Sequence, residues 1–543
     1  MKLDRIEISG FRGIKRLSLS FDELTTLIGE NTWGKSSLLD ALCIALPLDL
    51  KTYEFCKHDF HQDHSVSLAP SRHLQIIIRW THSFPEEHLS SRYRKFKVVW
   101  QPCEEPDIQY IYQRVSSTFV DDKITTNYSF LDSKGDELPL HDPKALIDEL
   151  VRLHPVIRLK DSRRLKQQEE HVYFDDRVER RINNTCRRLL NSPGQVNSGE
   201  LRSSLKSVQS LVEHYFGFES HSFVDTKKIH DGLFYGHAQE ESSLHNIMSK
   251  SRTKQSKLLL LGLLNTYLRA KGSNRISQAA RPILIIEDPE GRLHPTQLIQ
   301  AWNLMQLIPM QKVLTTNSSG LLSILPLYSL RRLVRQSDRT LALSLNNNQL
   351  STDELRRITF HIRLHRPGAL FARCWLLVEG ETEVWIFTEM ARICGYNLAE
   401  EGVYIIEFAQ SGLKSLIKIA NAFNIEWHVV TDGDAAGKKY ATSVKSQLGN
   451  DQERHRLTEL PYKDVELFLY HSGFENYFRE LVNITVDQPV PPKKIILKAL
   501  KKHAKPDIAL GVVEYCETHG VEMVPLLIRW VVKRVTTMAR GNV

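Results

Sequence analysis

Two groups of residues in this chain have the types and spacing for chemistry on phosphate esters. The first is Gly29-Glu30-Asn31-Thr32-Trp33-Gly34-Lys35-Ser36, followed by Ser37, which fits G-x-x-x-x-G-K-[ST]. Backbone N–H groups of such a loop, and of the helix it opens, surround phosphate oxygens. Lys35 would neutralise the terminal phosphates of ATP and Ser36 would hold Mg²⁺. A loop of this kind needs a distant acidic partner, and the apolar run Ile283-Leu284-Ile285-Ile286 ends in Glu287-Asp288-Pro289-Glu290. Glu287 is expected to support the magnesium shell and Asp288 to orient or deprotonate an attacking water. Further on, Lys312-Val313-Leu314-Thr315-Thr316 leads to Asn317, where a γ-phosphate sensor would sit.

The second group is acidic. The run Trp375–Val378 ends in Glu379-Gly380-Glu381-Thr382-Glu383, and Trp427–Thr431 ends in Asp432-Gly433-Asp434. Glu379 and Glu383, four apart at a helix start, can share a face, and a D-x-D pair can bind one or two hard cations. Clustered like charges need a cation, and carboxylates alone favour Mg²⁺ or Mn²⁺ over zinc. Glycines beside the acids fit tight functional turns.

The elements that must position these groups can be read from hydrophobic periodicity. Residues 2–9 and Ile14–Phe21 alternate as strands, Leu24–Ile28 is a short apolar strand stopping at Gly29, and Ser36–Leu46 has helical spacing. Leu74–Trp80 and Phe96–Trp100 read as strands, and the basic stretch Arg158–Leu190 as helix-compatible. Heptads are not sustained, so a long coiled-coil arm is not expected. An apolar helix over Lys257–Leu268 precedes the strand of the acidic partner. From Phe371 onward, strands at Trp375–Val378, Val403–Ile406 and Trp427–Thr431 alternate with helices at Thr382–Cys394 and Lys414–Phe423. That alternation gives an α/β fold with a parallel sheet whose active residues lie at the strands' carboxyl ends.

Composition sets the frame for a chain of 543 residues. A 41% hydrophobic, 25% charged chain with net charge +8 is neither an acidic disordered chain nor a histone-like basic one. Seven cysteines without a Cys-x-x-Cys pair exclude a disulfide framework and a thiolate zinc site. The longest apolar run, Leu258–Leu264, falls far short of the roughly 20 residues that span a bilayer. With no signal core at the N-terminus, a cytoplasmic protein with no membrane partner is expected.

Phe11-Arg12-Gly13, the phosphate loop, and Glu287-Asp288-Pro289-Glu290 followed by Leu293-His294-Pro295 together resemble the ABC-type ATPase heads of recombination and repair proteins. Such heads sandwich ATP between two copies, which implies a homodimer or larger assembly. Two departures weaken the expectation of rapid hydrolysis driven by dimerisation. The stretch Met248–Gln255 lacks the usual signature glycines, and Asn317 stands where a histidine is usual. The order strand-Glu, strand-Asp-x-Asp resembles the Toprim domain of topoisomerases, primases and certain nucleases. A head followed by a Toprim domain resembles the OLD (overcoming lysogenisation defect) family of nucleases, in its enterobacterial YbjD-like branch. The resemblance implies an ATPase head over 1–365 with a helical insertion at about 145–245, a Toprim domain over 366–480, and a basic helical extension over 481–543.

Also implied are ATP, one Mg²⁺ (or Mn²⁺) at the head and two at the Toprim site, and cleavage or nicking of DNA in phage defence or repair, with a helicase as a conceivable partner. Glu379, Asp432, Asp434 and Glu466 would be the principal ligands, with Asp464 the alternative to Glu466. Glu383 would bind metal or act on water, and Lys505 would stabilise transition-state charge. The alternative is a DNA-binding ATPase clamp with a non-catalytic Toprim domain. The lysines of Lys493–Lys505 and the arginines of Arg158–Arg188 are candidate phosphate contacts, the latter equally able to pair with nearby acids. His58-Asp59-Phe60-His61-Gln62-Asp63-His64 reads as a polar loop.

Overall fold

The computed structural model describes residues 1–62, 71–84, 86–103, 108–121, 123–159, 281–291, 293–306, 310–346, 349–448, 455–485 and 487–541, with isolated positions between 160 and 280. The stretch Met248–Gln255, nearly all of the inserted region beyond Leu159 and most of Lys257–Leu268 lie outside them. The chain forms two compact units, Met1–Ser344 and Leu345–Val543. Among the described residues no helix is long and apolar enough to cross a membrane.

In the first unit, alternation builds an antiparallel half-sheet. Strands β1 (Lys2–Phe11) and β2 (Ile14–Ser20) pair with Ile6 opposite Leu19 and Ile8 opposite Leu17, which turns one face into the core. Strands β4 (His73–Thr81), β5 (Gln101–Pro102), β6 (Gln109–Val120) and β7 (Lys123–Leu131) extend it antiparallel beyond β1. The other half holds β3 (Leu24–Ile28), β8 (Val156–Leu159), β9 (Ile283–Glu287) and β10 (Gln311–Thr315), parallel to one another, together with β11 (Leu330–Arg335) and β12 (Thr340–Leu343). The order is β5-β6-β4-β1-β2-β12-β11-β3-β10-β9-β8. The interior parallel strands β9 and β10 are almost wholly buried, so they read as continuous apolar runs.

This order positions the chemistry. Strand β10 lies between β3 and β9, with Leu314 opposite both Thr26 and Ile286. The loops leaving β3, β10 and β9 therefore emerge on one edge at strand spacings of ~4.8 Å. The helix Lys35–Ala45 buries Leu38, Leu39, Leu42 and Ala45, and Gly34 precedes it at φ +93°. A Cβ on Gly34 would lie 2.9 Å from Ile14 Cγ1, so this glycine is required for conformation and space alike.

Two sequence expectations are corrected in this unit. Phe96–Trp100 is not a strand; Ser91–Val98 winds as a 3₁₀ helix because Tyr93 and Phe96, three apart, bury the same edge. Arg158 is not helical but sits in β8, which pairs with β9. The His58–His64 segment, where it is described, is the end of a 3₁₀ turn running into irregular chain, and two of its polar side chains turn inward. Asp59 and His61 are buried, with Asp59 accepting from Arg12 Nε (2.8 Å) and Cys56 N–H (3.0 Å), and His61 Nδ1 lying 2.7 Å from Arg12 O.

The second unit is built on a four-stranded all-parallel sheet, β14-β13-β15-β16, from β13 (Cys374–Val378), β14 (Val403–Glu407), β15 (Glu426–Thr431) and β16 (Leu457–Glu459). Every residue of β13 is buried, as a central parallel strand requires. Helices Glu381–Ile393, Lys505–His519 and Leu526–Ala539 share one apolar core with it. Thr352–Ile358, a helix ahead of the sheet, opens on a capping box: Ser351 Oγ accepts from Glu354 N–H (3.3 Å), and Glu354 Oε2 accepts from Ser351 N–H (2.8 Å). Lys418 Nζ adds a bond of 2.9 Å to Glu354 Oε1. The Ser351 amide first, then Lys418 and Ser415, hold the Glu354 carboxyl down to about 2. Its contribution is therefore complete above the unfolded carboxylate range near pH 4.5 and disappears as pH falls towards 2. Glu354→Gln is expected to cost about 1 kcal/mol at pH 7 in denaturant melts, the difference closing on acidification.

Candidate functional site

At the first unit's edge, Lys35 is 4% exposed, and its ammonium donates to Gly29 O (2.5 Å) and Asn317 Oδ1 (2.7 Å). Burial lowers its pKa, opposed by the charges of Asp288 and Glu290. Among the described residues Lys35 makes no ion pair, which leaves a desolvated cation at the heart of the loop held only by neutral acceptors. Asn317 Nδ2 donates to Asn31 Oδ1 (3.3 Å) and its backbone N–H to Glu290 Oε1 (2.6 Å), joining the sensor position to both the loop and the acidic segment. Asp288, at φ +43°, accepts from Thr315 Oγ1 (2.9 Å), and Glu290 Oε2 accepts from Thr316 Oγ1 (3.0 Å). Ser36 Oγ lies 3.4 Å from Glu287 Oε1. Ser36, Glu287, Lys35 and Asn317 thus meet in one place and fit a magnesium-bound polyphosphate: an ammonium with no ion pair among the described residues, beside a hydroxyl facing a carboxylate.

In the second unit the acids collect at the carboxyl ends of the parallel strands. Glu379 follows β13 and Asp432 follows β15. Asp464 and Glu466 stand at the start of the helix Val465–Leu469, with Asp464 Oδ1 capping it through Leu467 N–H (2.8 Å). Asp434 caps the helix Ala435–Lys445, accepting from Gly437 N–H (2.7 Å), while Glu383 Oε2 accepts from Gly380 N–H (2.9 Å). Lys505 Nζ lies 2.9 Å from Glu466 Oε1, an ion contact at an angle poor for a hydrogen bond. Glu466 is 3% exposed.

The electrostatics show how crowded these charges are. Asp432 is pushed up to about 8 by burial and by the charges of Glu383, Glu379, Glu466 and Asp464. Burial first, then Asp434 and Glu383, raises Glu379; burial and Glu466 raise Glu383. Lys505, though partly desolvated, is raised by Glu466 and more weakly by Glu383 and Asp464. One oxygen of Glu379, Oε2, is buried without a hydrogen bond. An all-oxygen donor set with an orphaned carboxylate oxygen suits a hard dication. Among the described residues, no three of these donors already converge at ligand distance.

The turn between Asp432 and its helix is packed to the limit. A Cβ on Gly437 would lie 1.9 Å from Asp432 O, and one on Gly433 would lie 2.4 Å from Tyr462 O. Backbone atoms on both sides cannot yield, so Gly437→Ala is expected to destabilise the protein by about 3 kcal/mol and displace Asp432, read as a lower melting temperature.

Family models cover most of the chain. Residues 1–369 match the family described as "Protein of unknown function (DUF2813)", and residues 370–434 match "Overcoming lysogenization defect protein-like, TOPRIM domain". The chain is 41% identical to the uncharacterized protein YbjD of Escherichia coli K12, over the whole of both. The chain belongs to the OLD family. It falls in the YbjD-like branch, and its residues 370–434 match an OLD-like Toprim domain. Endonuclease GajA of Bacillus cereus VD045 is 21% identical across 83% of this chain and 78% of its own. Among solved structures, the C-terminal region of the Burkholderia pseudomallei OLD protein aligns over 31% of this chain and 99% of its own, at 15% identity and a TM-score of 0.27.

Sequence reasoning missed two residues in the first unit of this OLD-family protein. Asp40 lies four positions after Ser36 on the same helix face, a spacing that could have drawn notice. Arg158, one of the arginines read as candidate DNA contacts or as partners of nearby acids, pairs with acids other than those nearby in sequence: it is ion-paired with Asp40 and Glu287 and its side chain is 11% exposed. Nothing in the sequence places these three together, because only the pairing of β8 with β9 does so. Glu290, quoted without a role, proves to be the acid that holds Asn317.

Proposed function

We propose that this protein is a divalent-metal-dependent DNA endonuclease or nickase whose Toprim domain hydrolyses phosphodiesters and whose ATPase head binds ATP and governs that cleavage. The observation that carries this reading is the clustering of Glu379, Glu383, Asp432 and Glu466 beside Lys505, where burial first and then the neighbouring carboxylates lift Asp432 to about 8. Two Mg²⁺ or Mn²⁺ ions, when bound, supply the charge that activates water and steadies the leaving oxygen. Glu379, Asp432, Asp434 and Glu466 would hold them, with Asp464 in reserve. Glu383, buried against the turn at Gly380, either joins them or takes a proton from water. Lys505 is placed to move from Glu466 to a phosphate oxygen as charge develops there.

Lys493, Lys494, Lys498, Lys501 and Lys502 all lie exposed on the helix Pro492–Lys502, which ends three residues before Lys505. They would follow the DNA backbone without reading its sequence. In the head, Lys35 and Ser36 would hold ATP and its Mg²⁺ with Glu287, while Asp288 would orient the attacking water. The similarity to an endonuclease of Bacillus cereus supports the reading. Function as a dimer, in phage defence or repair, is part of the same proposal.

The test is cleavage of supercoiled plasmid by purified full-length protein with Mg²⁺ or Mn²⁺, with and without ATP, beside Lys35→Ala. Metal-dependent nicking or linearisation whose ATP response is lost in Lys35→Ala is expected. One observation favours the competing reading, a DNA-binding ATPase clamp with a non-catalytic Toprim domain: the carboxylates are not already converged. DNA binding and ATP turnover without cleavage under any metal would establish the clamp.

A further inference from the structure

We propose that Arg158 is a positioning residue of the nucleotide site, holding the carboxylate of Glu287 towards Ser36 while Asp40 and Arg12 brace it from behind. The inference rests on the reading of the head as a nucleotide-binding unit. Its basis is a chain of alternating charges. Arg158 Nε and Nη2 lie 3.0 and 2.9 Å from the same oxygen of Glu287, Oε2, which leaves Oε1 turned to the Ser36 hydroxyl at 3.4 Å. Arg158 Nη1 is paired with Asp40 Oδ1, and the other oxygen of Asp40 with Arg12 Nη1. Arg12 Nε in turn donates to Asp59 Oδ1 (2.8 Å), and Asp59 is fixed by Cys56 N–H (3.0 Å) and Tyr53 OH (3.1 Å).

Topology explains the reach. Strand β8 runs parallel to β9 with Arg158 opposite Ile285, two residues short of Glu287, so only a long side chain can extend to the carboxyl end of β9. A planar guanidinium presents donors to two carboxylates at once, which an ammonium on a flexible stem does not. The charges in the chain are unequal: Glu287, Asp40 and Asp59 against Arg158 and Arg12 leave one negative charge. Arg158 is shared between Glu287 and Asp40, Arg12 between Asp40 and Asp59, and the carboxylate oxygen of Glu287 not bonded by arginine faces Ser36. That is the end where a dication accompanying a nucleotide would be held. Partners of this kind fix the orientation of ligating carboxylates, and their loss weakens metal binding about 10- to 100-fold.

The test is equilibrium binding of a fluorescent ATP analogue to the full-length protein, in EDTA and across a Mg²⁺ titration, for wild type, Arg158→Gln, Arg158→Lys, Asp40→Asn and Lys35→Ala. Arg158→Gln is expected to leave affinity in EDTA within about twofold and to raise the Mg²⁺ concentration at half-effect about tenfold. Arg158→Lys should recover part of that shift, and Asp40→Asn should show a smaller rise even if Arg158→Gln folds poorly. An unchanged Mg²⁺ midpoint in both Arg158→Gln and Asp40→Asn overturns the proposal. A lowered midpoint also overturns it, because Arg158 would then compete with the metal. If wild type binds no nucleotide, or Lys35→Ala binds as tightly as wild type, the underlying reading of the head fails instead.

Discussion

Asp432→Ala is expected to reduce metal-dependent DNA cleavage by about 10³-fold or more, the rate equivalent of ~4 kcal/mol of lost metal-ion stabilisation, while leaving nucleotide binding and turnover by the head intact. Asp432 is the acid on which the charges of Glu383, Glu379, Glu466 and Asp464 all act, so a cation shared by the group would be bound most weakly without it. Alanine removes the carboxylate without touching Gly433 or Gly437, whose tight packing fixes the turn. The variant should therefore fold. Lys35→Ala is the reciprocal case, since it removes the buried ammonium that faces the phosphate loop in the other unit. It is expected to weaken nucleotide binding and to change cleavage only through regulation. Full cleavage by Asp432→Ala, in a preparation free of contaminating nuclease, would refute the assignment of the Toprim acids.

The two sites were legible to different depths. Gly34 at φ +93° against Ile14 and the buried run Ile283–Ile286 obey strong local rules, so the loop and its acidic strand could be found from spacing alone. Strands β13 to β15 were equally readable, because continuous apolar runs between helices have few other solutions. The acids carried a hidden ambiguity: Asp434 and Asp464 each precede a helix and each caps it, and the cap signature is indistinguishable in sequence from a ligand. Arg158 was legible only as a basic residue. Its partners lie at positions 40 and 287, and adjacency across a parallel sheet leaves no local trace. The turn of Tyr93 and Phe96 failed for the opposite reason, since a five-residue stretch with four apolar residues, Phe96–Trp100, is too short for periodicity to separate strand from 3₁₀ helix.

The same crowding that suits the Toprim acids to a cation should cost the metal-free protein stability, with a definite sign. Asp432 titrates near 3.9 in an unfolded chain and at about 8 when folded, burial being the largest cause and the neighbouring carboxylates the next. Between those values the folded state holds a proton that the unfolded state has released, so stability falls as pH rises through the window from about 4 to 8. Asparagine keeps the shape and removes the titration. In EDTA, Asp432→Asn should match wild type near pH 4 and become progressively more stable than it towards pH 8.5. The gain is a few kcal/mol at most after allowance for the water that still reaches the group, or ~5 °C in melting temperature. Added Mg²⁺ should reverse the order, because wild type gains binding free energy that the variant cannot. Thermal melts of both proteins at several pH values, with and without Mg²⁺, decide the matter. Equal melting temperatures at pH 8.5 without metal would mean that the carboxylates do not repel one another in the folded protein, and the argument for a cation at this site would lose its physical basis.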